Sequence, residues 1–79
     1  MYIDRRKIEK LLRQWKKASH IEPESILLYK ITGSVLNVYT SRPGYLIGYH
    51  GTLIREYISK ASKYGVSNIK LVEVDGRPI

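Results

Sequence analysis

The sequence has 79 residues, of which 14 are Lys or Arg and seven are Asp or Glu, so its formal net charge is +7. This length fits one small domain, covering residues 1–79, and leaves too little buried volume for a deep enzyme cavity. The absence of cysteine excludes a disulfide framework, a thiolate zinc site and a cysteine nucleophile. The positive charge favours a polyanionic partner, above all nucleic acid, although cationic surfaces also serve solubility alone.

Neither a membrane span nor a secretion signal is visible in the sequence. No apolar run approaches the about 18 residues that a bilayer span requires, and residues 1–10 lack the apolar stretch of a signal peptide. We therefore expect a cytoplasmic protein that makes no membrane contact. We also expect residues 75–79 to form a flexible tail.

An amphipathic helix is predicted over residues 4–19. The period of one helix face is visible in its apolar side chains, which are Ile8, Leu11, Leu12, Trp15 and Ala18. Asp4 is the expected N-cap, and His20 is expected at the helix end, where the dipole favours it. A basic ridge occupies the opposite side and consists of Arg6, Lys10, Arg13 and Lys17. Two interpretations of this ridge stay open, a solvated face and a surface that contacts phosphate.

Three strands are predicted from β-branched, aromatic and alternating side chains. Residues 25–31 and 35–40 form a hairpin whose tight turn contains Gly33, because glycine supplies the positive φ that such turns need. The last strand covers residues 67–74. The strand side chains expected to face the helices are Leu36, Val38, Ile69 and Leu71.

Two further helices are predicted between the second and the last strand. A short helix over residues 43–48 begins at Pro43, which suits a first helical turn. A long helix begins at Thr52 and ends before Gly65, which suits the position after a helix C-terminus. The apolar face of the long helix comprises Leu53, Ile54, Tyr57, Ile58, Ala61 and Tyr64.

The element order α-β-β-α-α-β predicts an α+β fold with a three-stranded mixed sheet and three helices packed on one face. The crossover through two helices makes the second and last strands parallel, whereas the hairpin is antiparallel. The other sheet face is then open to solvent. We expect that open face to be lined by Ile26, Leu28, Asn37 and Tyr39.

The connection between the two later helices, Gly48-Tyr49-His50-Gly51, is the most informative segment for function. Its two glycines let the backbone turn sharply and let a ligand approach without obstruction by a Cβ atom. The long helix starts at this loop, and its first N–H groups, at the positive end of the helix dipole, are suited to a phosphate. Two glycines at this spacing are by themselves a weak signal, which a plain helix-to-helix turn also explains.

Further motifs accompany this loop along the chain. They are the basic first helix, the hairpin ending in Thr40, the run Arg42-Pro43-Gly44, the apolar triplet before Gly48, Ile54 with Glu56, and Ile69, Leu71, Glu73 and Val74. Over residues 4–75 this pattern resembles a type II K-homology (KH) domain, and within that group the KH domain of the third ribosomal protein of the bacterial small subunit. The resemblance implies a groove that holds about four unpaired nucleotides, with the glycine loop clamping their backbone.

Carried onto this chain, the resemblance implies a set of nucleic-acid-binding residues. Gly48 and Gly51 would shape the clamp, while the backbone of Tyr49 and His50 would meet phosphate. The rest of the set supplies an apolar floor and charge around the loop, and consists of Arg42, Gly44, Ile47, Ile54 and Arg55. Ordinary roles stay open for several of these residues: core packing for the two isoleucines, a strand-end cap for Arg42 and an ion pair for Arg55.

The chain departs from the family at the centre of the loop, where relatives usually carry Lys, Arg or a further Gly. Tyr49 and His50 stand there instead, and fewer phosphate contacts predict weaker and less salt-sensitive binding. Stacking of Tyr49 on a base would compensate. An imidazole gains a proton, and so a positive charge, in mildly acidic solution. With His50 beside a bound phosphate, we therefore expect tighter RNA binding at about pH 5.5 than at about pH 8. An idle exposed histidine is the alternative.

The leading functional prediction is non-catalytic binding of single-stranded RNA in a ribosome- or translation-associated setting, without a cofactor or metal. Ribosomal RNA or mRNA is the expected ligand, and single-stranded DNA stays an open alternative. The second hypothesis is a degenerate KH domain that contacts proteins through the open sheet face or an edge strand. An enzyme is disfavoured because the chain has two isolated histidines, no cysteine and no constrained carboxylate pair. Duplex DNA is disfavoured because both long helices pack against the core, so neither presents a free face that could enter a DNA groove.

Overall fold

A computed structural model describes residues 3–21 and 26–74, and of Leu27 only the backbone. The elements follow the order α1 (Arg5–Ser19), β1 (Ile26–Thr32), β2 (Val35–Thr40), α2 (Pro43–Ile47), a 3-10 turn (Tyr49–Gly51), α3 (Thr52–Ser62) and β3 (Asn68–Glu73). The predicted α+β class and order of helices and strands are confirmed. The expected tail of residues 75–79 and the first residue of the predicted hairpin, Ser25, lie outside the described residues.

Both ends of α1 are closed by local hydrogen bonds. The Asp4 carboxylate accepts from the backbone N–H groups of Arg6 and Lys7, at 3.1 and 3.4 Å, which confirms the predicted N-cap. At the other end, His20 adopts a left-handed conformation with φ 58°. The N–H groups of His20 and Ile21 then reach back to the last turn, so the chain leaves the helix at once.

The buried face of α1 differs from the prediction at its C-terminal end. Ala18 is exposed, whereas Ser19 is buried. Ser19 follows Trp15 by one turn and therefore lies on the centre of the buried face, while Ala18 lies at its edge. The Ser19 hydroxyl donates to the carbonyl of Trp15 at 2.8 Å, which allows a polar side chain to be buried there.

The sheet has the strand order β1-β2-β3 and is mixed, as predicted. The strands β1 and β2 are antiparallel, and β2 and β3 are parallel. Gly33 supplies the positive φ of 61° in the hairpin turn. Every second side chain of β2 is buried, which confirms the inward direction of Leu36 and Val38. In β3, Ile69 is buried and Leu71 packs half-buried against the same core.

A register shift in β1 alters the expected open face of the sheet. The pairing of β1 with β2 is irregular between Ile26 and Leu28. An extra residue in one strand turns the side chains on its two sides to opposite faces. Ile26 therefore packs against the core, while Leu28 is 47% exposed on the other face. The prediction that both line the open face was wrong for Ile26.

The helix α3 ends at Ser62, two residues before the predicted end at Tyr64. The N–H groups of Gly65 and Val66 reach back to the carbonyls of Ser62 and Ala61, at 3.4 and 3.2 Å. This pattern is a Schellman cap, which needs a left-handed residue at the position of Gly65. Gly65 has φ 91°, so its predicted role in ending the helix is confirmed.

One hydrophobic core joins the helices to the sheet. Its buried members are Ile8, Leu11, Leu12, Trp15, Leu36, Val38, Leu46, Tyr57, Ala61, Val66 and Ile69. The fully buried ring of Trp15 stacks on Tyr57 of α3, with 5.1 Å between ring centroids and 8° between planes. Its indole N–H donates to the backbone carbonyl of Leu46 in α2 at 2.9 Å. A single side chain of α1 thus contacts both helices that flank the glycine loop.

None of the helices in the described part of the chain combines the length and the apolar character needed to cross a membrane.

Candidate functional site

The loop between α2 and α3 depends on the backbone of Gly48. This residue has φ 78° and ψ 179°, a region of conformational space that is essentially restricted to glycine. A Cβ atom at this position would also lie 2.8 to 3.1 Å from side-chain carbons of Leu53. Two independent constraints, conformation and space, therefore require glycine at position 48.

The next left-handed residues are His50, with φ 54°, and Gly51, with φ 75°. At Gly51 an added Cβ would make only an ordinary contact with Nη1 of Arg55, at 3.5 Å. Glycine is favoured at position 51 by conformation alone, since an L side chain is strained there. His50 carries such a side chain in a left-handed conformation without the relief that glycine gives.

The backbone N–H groups of the loop fall into two classes. Those of Gly48 and Gly51 are bonded internally, to the carbonyls of Gly44 at 3.1 Å and Gly48 at 3.2 Å. Among the described residues, nothing accepts from the N–H groups of Tyr49 and His50. The family resemblance implies that the backbone of these two residues meets phosphate, and they are the ones whose donors are unoccupied.

The positive end of the α3 helix dipole lies beside the loop. The N-cap of this helix is Gly51, which provides no side-chain acceptor, and the first turn contains no acidic residue. The hydroxyl of Thr52 donates to the Tyr49 carbonyl at 2.8 Å and so points back into the loop. The Tyr49 carbonyl also accepts from the Thr52 N–H, but no carboxylate that the structure describes stands at this positive end of the helix dipole.

Exposed apolar side chains concentrate beside these donors. Of the four large hydrophobic side chains that the described residues expose, three lie within residues 45–49. Tyr45 is 58% exposed, Ile47 39% and Tyr49 82%. Exposed apolar side chains are thus concentrated, along the sequence, in α2 and the loop that follows it.

Tyr45 was missed by the sequence analysis, although a signal for it existed. Leu46 is fully buried in α2, and successive helix residues are rotated by about 100° from one another. The neighbours of a buried residue in so short a helix therefore point away from the core. This reasoning identifies Tyr45 together with Ile47.

The expected apolar floor is divided between solvent and core. Ile47 is exposed, whereas Ile54 is half-buried and packs against the hydrophobic core. Core packing, the ordinary role left open for both isoleucines, thus accounts for much of the Ile54 surface. Gly44 is exposed, and no atom lies within 4 Å of the place where its Cβ would be, so it leaves open space before the loop.

Two exposed arginines flank the loop. Arg55 lies beside Gly51, and Arg42 precedes α2, where its backbone N–H donates to the Thr40 hydroxyl at 3.0 Å. Within the described ranges, neither arginine forms an ion pair. The nearby Glu56 is held instead by Lys60 at 2.9 Å, and this hydrogen bond raises the pKa of Lys60. The positive charge of both arginines is therefore available to a ligand.

The two side chains at the centre of the loop contact each other. The rings of Tyr49 and His50 meet edge to face, with 4.0 Å between centroids and 69° between planes. This contact orders the exposed Tyr49 ring without burying it. A flat aromatic surface is thus presented directly beside the unoccupied donors.

The basic ridge of α1 is exposed along its whole length, at Arg6, Lys10, Arg13 and Lys17. Three of its members border two different grooves. Arg6 and Lys10 line one groove beside Tyr64, and Arg13 lines another between α1 and β1. In this second groove the Tyr29 hydroxyl donates to a carboxylate oxygen of Glu9 at 3.0 Å. Burial raises the pKa of Tyr29 most, and this hydrogen bond raises it further.

Residues 3–21 and 26–74 contain no cluster of three or more histidines and carboxylates that could hold a metal ion. Comparison of the chain with protein-family models, curated proteins and solved structures finds no match. The function is therefore inferred from the geometry and the charge of the loop.

Proposed function

We propose that this chain is a type II KH domain that binds single-stranded RNA, about four nucleotides at a time, in a ribosome- or translation-associated setting and without catalysis. The supporting observation is the pair of unoccupied N–H donors at Tyr49 and His50, placed between two glycines that adopt positive φ. The proposed contact surface consists of Arg42, Gly44, Tyr45, Ile47, Gly48, Tyr49, His50, Gly51, Ile54 and Arg55.

The phosphate backbone is bound by the loop in this proposal. A chain that passes from negative φ at Tyr49 to left-handed φ at His50 turns neighbouring N–H groups toward one side, which forms a concave anion site. A phosphate there accepts hydrogen bonds from the Tyr49 and His50 N–H groups just before α3, where the helix dipole adds to the attraction. Arg42 and Arg55 supply the long-range positive charge.

The bases are bound by the exposed apolar side chains next to the loop. Stacking of a base on an aromatic ring contributes about 1–3 kcal/mol and tolerates any sequence. Tyr49 offers such a ring, and Tyr45 and Ile47 extend the apolar surface along α2. Only unpaired bases can reach this surface, because the bases of a duplex are stacked on one another. The arrangement therefore favours single strands.

The alternative function is protein contact through the open sheet face. Leu28, Tyr39 and Val72 are paired with one another across the three strands and so form one apolar row on that face. Leu28 is the only member whose exposure reaches 47%. The other two are half-buried, so this row offers less apolar surface than the residues next to the loop.

Titration with a single-stranded RNA tetranucleotide, followed through backbone amide chemical shifts, tests the proposal. We expect the shifts to concentrate on residues 42–56. The double variant Tyr49→Asp/His50→Asp should abolish binding while the domain stays folded, because two carboxylates repel the phosphate. A matched control, Thr32→Asp/Asn68→Asp, adds the same charge on the open sheet face and should retain binding.

Two results would refute RNA binding at the loop. One is a set of shifts centred on the sheet, which would favour the protein-contact alternative. The other is equal loss of affinity in the loop variant and the sheet variant, which would indicate a general effect of charge.

A further inference from the structure

A groove of about 330 Å³ lies between α1 and the end of α3. The edge of the buried Leu11 forms its floor, and its polar lining consists of Asp4, Arg6, Lys7, Lys10, Gln14 and Tyr64. Lys7 and Gln14 lie outside the basic ridge, so the groove brings the ridge together with side chains from its flank. The spacing of the ridge residues alone does not indicate this combination.

The electrostatic character of the groove is strongly positive. Three of its polar side chains are cations, and its one carboxylate, Asp4, already accepts from two N–H groups of its own helix. In the part of the chain that the structure describes, Arg6, Lys7 and Lys10 form no ion pairs. The ammonium of Lys7 lies 5.7 Å from the centre of the Tyr64 ring, so the tyrosine favours a cation at that position.

The groove is remote from the glycine loop. The contacts of Trp15 with Tyr57 and of Lys7 with Tyr64 show that α1 and α3 run in opposite directions. The loop lies at the start of α3, and Tyr64 follows its end. At a rise of about 1.5 Å per residue, the 12 steps from Thr52 to Tyr64 span about 18 Å.

We propose that this groove is a second phosphodiester-binding site, which takes the backbone of the same RNA strand outside the nucleotides held at the loop. The inference rests on the proposed RNA binding and adds a separate contact to it. Cations and an amide donor suit phosphate oxygens and read no base edges, so the contact is independent of sequence. Lys7 and Lys10 are the two residues that carry it.

The distance between the sites sets a requirement for RNA length. Phosphates of a stacked strand follow one another at about 3.4 Å along the axis, so about 18 Å corresponds to about five nucleotides of stacked strand. With about four nucleotides at the loop, a strand of about nine or more is needed to reach both sites. A tetranucleotide cannot do so.

Affinities for a tetranucleotide and a dodecanucleotide, measured at two salt concentrations, test this second site. The groove variant is Lys7→Gln/Lys10→Gln, and the control Lys30→Gln/Lys70→Gln removes the same charge from the open sheet face. Each lost contact lowers the salt dependence of single-strand binding by about 0.7 in log–log slope. The groove variant loses two contacts, so its slope should be about 1.4 smaller than that of the control. When the salt concentration rises fourfold, the factor by which dodecanucleotide affinity falls should therefore be about seven times smaller in the groove variant than in the control.

For the tetranucleotide we expect the groove variant and the control to behave alike. Equal salt slopes of these two variants with the dodecanucleotide would overturn the second site, as would a protein that fails to bind the dodecanucleotide at all. Failure of the proposed loop function gives a different result: Tyr49→Asp/His50→Asp would then leave binding intact, while the groove variant would still lower the salt slope.

Discussion

The indole of Trp15 provides the sharpest test of how the glycine loop is held. Its N–H donates to the Leu46 carbonyl at 2.9 Å inside the core. That carbonyl belongs to the last turn of α2, where helix carbonyls have no partner within the helix. Trp15→Phe keeps an aromatic ring against Tyr57 and removes the donor. The loop begins two residues after Leu46, so the variant removes the hydrogen bond that ties this part of the chain to α1.

The cost of Trp15→Phe follows from two contributions. A buried carbonyl left without a donor costs about 1–3 kcal/mol. The smaller ring leaves a space in the core, which adds about 1 kcal/mol or more. We expect a total loss of about 2–4 kcal/mol in the free energy of unfolding. A domain of this length has about 4–12 kcal/mol in all, so the variant should stay folded in water.

Urea denaturation followed by circular dichroism measures this loss, and amide hydrogen exchange locates it. Val66→Ala is a suitable control because Val66 is buried beyond the far end of α3 and its truncation costs about 2 kcal/mol. In Trp15→Phe we expect faster exchange at the Gly48 N–H, which forms the last hydrogen bond of α2. In Val66→Ala, exchange at Gly48 should change only as far as global stability does.

Two outcomes would refute the role of Trp15. If both variants accelerate exchange at Gly48 equally for equal losses of stability, the indole contributes to the core without holding the loop. If Trp15→Phe costs less than about 1 kcal/mol, the hydrogen bond to Leu46 carries little energy in solution.

Three further predictions concern the loop and pH. Gly48→Ala should lower the free energy of unfolding by about 2–5 kcal/mol, and Gly51→Ala by about 1–2 kcal/mol, because only at position 48 would the new Cβ also collide with Leu53. Equal losses for the two variants in urea denaturation would contradict this difference. Burial and the hydrogen bond to Glu9 raise the pKa of Tyr29, so its contribution to stability is present below about pH 10 and is lost as the pH rises through the folded-state value. Tyr29→Phe should therefore flatten the alkaline loss of stability, and an unchanged profile would assign that loss to other groups. RNA affinity should be higher at about pH 5.5 than at about pH 8, and His50→Asn, which tolerates the left-handed backbone, should remove this dependence. Equal affinity of the unaltered protein at both pH values would contradict a role for His50.

Local features made most of the fold predictable. The N-cap at Asp4, the turn at Gly33 and the helix end at Gly65 each depend on a few neighbouring residues, and all three were predicted from the sequence. The alternation of β2 was equally clear because one face is buried and the other is not. Such signals are complete within a short window of sequence.

Features that depend on pairing with distant residues were not predictable in this way. The irregular register beside Leu28 arises from how β1 pairs with β2, and no residue type in β1 indicates it. At the loop, the residue types indicated a sharp turn, but only the backbone hydrogen bonds show that the N–H groups of Gly48 and Gly51 are occupied.

The distribution of charge and apolar surface around the loop has a consequence for RNA length. The centre of the loop carries Tyr49 and His50, so the cations stand at its margins, on Arg42 and Arg55. Stacking adds about 1–3 kcal/mol per base, whereas association costs at least about 4 kcal/mol in lost freedom of motion. A tetranucleotide at the loop alone is therefore expected to bind weakly. A strand that also reaches the groove beside Tyr64 binds its second site intramolecularly, at high effective concentration, so affinity should rise steeply once the strand spans both sites.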